Sequence, residues 1–345
     1  MGSIAVVLAV AVAALIGAGL WVLVRRAIKG SQMTFVPVPA SAAGERYGAS
    51  VYRSEVRASL TALLIGVSAT VLTWQVGTWW PQGYGLPYAL AGSVGALAGL
   101  SAYNLYRRTG WDSSPGERTH AELTPRRPAS FARQWVFALP LATALTLILG
   151  LVLTGLYSSA DENGLHRIYQ RRGLSGWGIE DGRVVNVQYN LSSTGPFPGW
   201  YYGVPVIIST VLLIIVVYWS LRRIAAAARP TSPGLFHLDT ALRSLRTAFV
   251  MATSSAALAF QVAGLLAITG NVLRVSHLNA VPTADTFASA NTVPVEPGHT
   301  LALIAILSSL VVAMAAAILL IKALTVVADL RFAEKKARTS DPWPA

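Results

Sequence analysis

The stretch LALIAILSSLVVAMAAAILLIKALTV, Leu301–Val326, decides the fold. Its only charged residue is Lys322, close to one end. A helix needs about 20 apolar residues to cross a hydrocarbon core of roughly 30 Å. Lipid offers the backbone no hydrogen-bond partner, so such a stretch must be helical. Working outward, six further stretches read the same way, at residues 4–24, 60–80, 86–106, 135–157, 201–221 and 248–272. None of the seven contains an acidic residue. The stretch 86–106 is the weakest, because Pro87 and several glycines thin its start.

Composition agrees. Of 345 residues, 54% are hydrophobic and 12% charged, against about a quarter charged in soluble domains. The mean hydropathy is +0.53. With no cysteine in the chain, disulfides, thiolate metal sites and a cysteine nucleophile are excluded. The net charge of +12 lies mostly beside apolar stretches, so it is read as membrane orientation and not as a nucleic-acid surface.

The connections sort into two sets. Residues 25–59, 107–134, 222–247 and 327–345 carry nearly all the basic side chains, including the pairs Arg25-Arg26, Arg107-Arg108 and Arg222-Arg223. The opposite set carries Arg167, Arg171, Arg172, Arg183 and Arg274. By the positive-inside rule the first set is cytoplasmic. The predicted fold is thus an all-α polytopic membrane protein, a bundle of about seven transmembrane helices forming one domain over 1–330. Its N-terminus is outside and its C-terminus in the cytoplasm, in the plasma membrane. The first stretch follows Met1-Gly2-Ser3, which lacks a basic n-region, and reads as a retained anchor.

A loop at 158–200 is predicted to carry a small extracytoplasmic β-hairpin between the fourth and fifth helices. Val185, Val187, Tyr189 and Leu191 alternate with polar residues, the period of a half-exposed strand. Asp181-Gly182 is a hairpin turn signal, with Trp177 and Ile179 on the partner strand. Trp177, Phe197 and Trp200 form a candidate outer aromatic surface, for interfacial anchoring or for binding. The second outer loop, 273–299, shows no period and is predicted irregular. On the other side, Leu235, Leu238, Leu242 and Leu245 fall at helical spacing, and Asp239 and Arg243 form an i,i+4 pair. That segment reads as a short amphipathic helix on the membrane. Its leucines face lipid, the bundle, or a docked partner such as a cytoplasmic ATPase. Residues 331–345 read as a solvated cytoplasmic tail.

Aligning Arg57 with Arg243 also superposes Thr61 on Thr247, Ser68 on Ser254 and Gln75 on Gln261. Duplication and chance similarity between apolar helices both explain this. Gln75 and Gln261 then either bond neighbouring helices or line a polar path. Gly95-x-x-x-Gly99 permits close helix contact, inside the bundle or against a second copy.

Chemistry is scarce. None of the five histidines falls in mid-span, and no metal or cofactor site is predicted. Lys322 reads as snorkelling towards the interface. The 15 acidic residues are all expected in loops or at helix ends. The predicted role is a non-enzymatic, membrane-spanning subunit of a transport or export assembly. The lipid bilayer, an ATPase or other membrane subunits, or a second copy of the chain are its expected partners. A sensor or scaffold using the outer hairpin is the alternative. A lipid-modifying enzyme relying on outer residues such as Asp161, Glu162 or His166 is a third.

Overall fold

The computed structural model describes residues 42–108, 131–132, 134–180, 183–228, 230, 235–281 and 291–339. The predicted span 4–24, the turn residues 181–182 and the end of the tail lie outside them. Six α-helices are present among the described residues: α1 (Ala42–Trp79), α2 (Leu86–Leu105), α3 (Gln134–Leu156), α4 (Trp200–Ala226), α5 (Phe236–Ser276) and α6 (Gly298–Thr339). All of them except α2 are long and apolar enough to cross a membrane. Helix α2 fills the predicted stretch 86–106. Pro87, Gly92, Gly95, Gly99 and its tyrosines dilute its apolar character, so it falls outside that group.

Exposed side chains show why lipid suits these helices. Leu141, Leu145, Leu149 and Leu153 recur at four-residue steps along α3, each more than half exposed. A continuous apolar ridge of this kind is costly in water and at ease in a bilayer.

Three helices outrun their apolar stretches. Helix α1 begins at Ala42 instead of 60, α5 at Phe236 instead of 248, and α6 continues to Thr339 instead of ending at 326. The predicted surface helix around Leu238 is therefore the opening of α5, and residues 331–339 of the predicted tail are helical. Apolar runs mark only the part of a helix that needs lipid.

The chain divides into two compact units. Among the described residues, one consists of Leu145–Ile207 and Phe260–Met314. The other consists of residues 42–144, Ile208–Ala259 and Ala315 onwards. In this second unit α1 and α2 form a helical hairpin. A short 3-10 turn at Pro81–Gly83 joins them, followed by Tyr84 at φ 47° and Gly85 at φ 86°. Their contact runs through main chain. A Cβ placed on Gly99 would lie 2.7 Å from the Ala62 carbonyl oxygen, and one on Gly95 2.7 Å from that of Gly66. The predicted small-residue contact of Gly95 and Gly99 is thus made within the chain. Elsewhere in this unit Leu139, Ala256, Ala315 and Leu319 form a buried cluster, with Ile318 against it.

The first unit carries the β-structure. Strands β1 (Ser159–Ala160), β2 (His166–Glu180) and β3 (Arg183–Thr194) form an antiparallel sheet in that order. Glu180 pairs with Arg183 and Ile179 with Val184, so the hairpin turns where Asp181-Gly182 predicts and is longer than the alternating residues alone suggest. The outer loop predicted to be irregular contains a second hairpin, β4 (Leu278–Val281) with β5 (Asn291–Pro294). Four-residue strands are too short to display a period, which is why it was not legible.

Candidate functional site

The densest polar constellation lies in the second unit, around Glu55. The prediction that acidic residues occupy loops or helix ends fails here. Glu55 sits inside α1 and is fully buried. Three donors converge on its carboxylate. The Tyr103 hydroxyl, from the last turns of α2, donates to Oε1. Arg108 Nε, three residues beyond α2, donates to Oε2 at 3.0 Å. Arg246 Nε, from the early turns of α5, donates to the same oxygen at 2.7 Å. A buried carboxylate is tolerable only when paired and hydrogen-bonded, and this one has two guanidinium partners. Tyr103 is itself buried. Its ring packs 5.1 Å from that of Phe249, and the Arg108 guanidinium carbon stands 4.3 Å from its centroid. Farther out, Arg53 Nε donates to Glu334 at 3.0 Å, tying α1 to α6.

Beside this cluster Asn104 Nδ2 donates to Ser220 Oγ at 2.7 Å, joining α2 to α4. Arg223 donates from Nη1 to the Asn104 carbonyl. A cavity of about 230 Å³ opens here, lined by Tyr103, Asn104, Tyr106, Ser220 and the three arginines Arg108, Arg223 and Arg246, among others.

Arg243 has a different task. The predicted i,i+4 pair with Asp239 is made at 2.9 Å, but it is buried and not on the surface. The guanidinium then donates from Nη1 to the Ile224 and Ala225 carbonyls and from Nη2 to those of Ala227 and Ala228, at 2.8 to 3.1 Å. The last carbonyls of a helix lack intrahelical partners, and Arg243 supplies them for α4. A cation there also complements the helix dipole.

The residues singled out from sequence are not brought together. Gln75 is exposed on α1, whereas Gln261 of α5 is half-buried, with its amide atoms shielded and without a partner among the described residues. The two belong to different units. Leu238 and Leu242 are buried within the second unit, and Leu235 and Leu245 are half-buried. Leu238 and Leu242 face the interior of the unit because the segment belongs to α5 and turns inward with it. Phe197 is buried and stacks 5.4 Å from Tyr169, and Trp200 covers Gly155. Phe197 therefore serves the interior of the first unit, while Trp200 is half-buried. Trp177 lies on β2.

Of Asp161, Glu162 and His166, weighed for chemistry, the first has a structural duty. The Asp161 carboxylate accepts the Asn163 and Leu165 amides at 2.8 and 2.9 Å and pairs with Arg167. Desolvation pushes its pKa up, but the Leu165 amide, the Arg167 guanidinium and the Asn163 amide outweigh that and hold it below the ordinary carboxylate value. His166 Nδ1 lies 3.3 Å from the Ser158 carbonyl oxygen, and Glu162 is exposed.

Glu55, Tyr103, Arg108 and Arg246 were missed from sequence. The available signal was a lone glutamate flanked by Arg53 and Arg57 just below an apolar stretch. Nothing local indicated its partners. Five helices able to cross a membrane fit a multi-pass membrane protein. No family model, curated protein or solved structure matches this chain.

Proposed function

We propose that the chain is a seven-span plasma-membrane protein, oriented N-terminus out and C-terminus in. It serves as the membrane-spanning subunit of a transport or export assembly whose energy comes from another protein. One observation carries the reading: apolar helices run without a break into an ion-paired, arginine-rich extension. At about 1.5 Å per residue, the 38, 41 and 42 residues of α1, α5 and α6 measure roughly twice a ~30 Å hydrocarbon core. The surplus carries Arg53, Arg57, Arg246 and Arg331, and the Glu55 and Arg53–Glu334 pairs brace it. A stiff extension of transmembrane helices is a suitable mount for a cytoplasmic motor. The positive-inside rule places that extension in the cytoplasm.

The test is purification of the full chain in a mild detergent with crosslinking. Stoichiometric recovery of an ATPase is expected, and its repeated absence would sink the subunit reading. Orientation is checked separately. The chain has no cysteine, so single cysteines at Leu235 and Gln188 can be labelled from either side. Leu235 should react only from the cytoplasm and Gln188 only from outside.

The sensor reading draws on a specific observation of its own. Tyr189 and Leu191 on β3 are 62% and 70% exposed, an apolar surface open to a ligand. Deleting residues 174–191 should then abolish a signalling output while leaving membrane insertion intact.

A further inference from the structure

We propose that the arginine-lined cavity of the second unit binds a phosphate-bearing anion. The inference goes beyond the transport reading and does not depend on it. Arg108, Arg223 and Arg246 face one space of about 230 Å³. At about 30 Å³ per water, it has room for a phosphoryl group and part of its hydration. The neighbouring carboxylate, Glu55, is engaged by the Nε atoms of two of these arginines. One negative charge against three positive leaves the cavity short of anions. Among the described residues, the terminal nitrogens of Arg246 donate to no acceptor, whereas Nη2 of Arg108 donates to the Tyr103 carbonyl at 3.1 Å. Binding the carboxylate through Nε turns the rest of the Arg246 fork towards other acceptors. Planar guanidinium forks match phosphate oxygens better than any other side chain does. Asn104 and Ser220 supply neutral polar groups on the wall, and Arg223 is exposed, so the space is reachable.

The shared chemistry is a phosphoryl anion. A lipid headgroup and free phosphate both offer it, and basic pockets between transmembrane helices commonly take lipid phosphates. Delipidated full-length protein in neutral detergent should be titrated with inorganic phosphate and pyrophosphate by calorimetry. In parallel it should be reconstituted in nanodiscs of phosphatidylcholine with and without phosphatidylglycerol, with retained lipid counted by native mass spectrometry. Saturable binding is expected in at least one arm, and the responding arm identifies the source. Arg223→Gln should weaken it about tenfold, the factor for one lost charge-assisted hydrogen bond. Ala228→Glu, which brings a competing carboxylate to the cavity wall without removing any protein contact, should abolish it. Arg57→Gln removes an exposed charge outside the cavity and should change nothing. Absence of saturable binding in both arms would overturn the proposal. So would wild-type binding by both cavity variants, or equal weakening by Arg57→Gln.

Discussion

Arg246 Nε lies 2.7 Å from Glu55 Oε2, across 191 positions of sequence. This contact, with those of Tyr103 and Arg108 to the same carboxylate, fastens the start of α5 to α1 and to the end of α2. Removing one member of a buried ion pair leaves the other charge desolvated and unpaired, typically at a loss of about 3–5 kcal/mol. Glu55→Gln keeps the shape and loses the charge. It should therefore lower the thermal midpoint of the detergent-solubilised protein far more than Arg57→Gln. Equal midpoints would mean that the cluster contributes no stability.

The α1–α2 contact leaves no room for side chains at Gly95 and Gly99. Gly99→Val should destabilise the protein by about 1–3 kcal/mol, the usual range for overpacking. Gly264 on α5 is the control, because a Cβ there would meet nothing within 4 Å. Gly264→Ala should leave stability unchanged or raise it by up to ~1 kcal/mol, through lower backbone entropy in the unfolded chain. Denaturation in mixed micelles distinguishes the two.

Arg243 supplies the end of α4 through a planar fork with donors on two nitrogens. Arg243→Lys retains the charge but cannot reach the same set of carbonyls. Hydrogen exchange should consequently accelerate at the last turn of α4 in the lysine variant. Unchanged protection would refute the capping role.

His277 introduces pH dependence in the first unit. Its ring stacks on Tyr169, and Nδ1 lies 2.8 Å from the Leu273 carbonyl oxygen. Burial, together with the charges of Arg171 and His299, holds its pKa below the ordinary 6.5 against the opposing pull of Leu273 and Glu296. Above 6.5 the ring is neutral whether the chain is folded or not. As the pH falls through that value the unfolded chain takes up the proton first, so stability is lost. Between about pH 8 and pH 5 the wild type should lose more stability than His277→Gln, measured by thermal midpoint at each pH. Parallel curves would exclude His277 as the source.

Gln75 and Gln261 should behave differently although they align in sequence. Gln75→Leu alters an exposed position and should be near neutral. Gln261→Leu removes a buried amide that has no partner, and relieving such a group contributes about 1–3 kcal/mol. A matched response from the two variants would favour equivalent roles in a repeat.

The legibility of this chain follows the range of the forces involved. Helix α3 and the start of α4 were readable to within a residue, because a dense apolar run marks where lipid is needed, although α4 runs on to Ala226 past the predicted end at 221. The β2–β3 hairpin was readable because Asp181-Gly182 and the alternation beyond it are local signals. Glu55 was not, since its partners lie 48, 53 and 191 positions away and a lone glutamate outside an apolar run looks solvated. The early turns of α5 illustrate the same limit. Their leucine stripe was visible, but whether lipid, a partner or the chain itself would cover it depended on tertiary contacts. Arg243 was read as half of a surface pair, because the carbonyls it serves belong to another helix.

Main-chain contact between α1 and α2 restricts how the protein can move. Where the backbones meet at Gly66 and Gly99 no side chain stands between the two helices to change rotamer, so they cannot creep past one another there. A shift of one turn would bring Tyr103 to the place of Gly99, against the Ala62 carbonyl, which is a steric stop. The pair must swing as a single beam, and any gating stroke has to be taken up at other helix contacts.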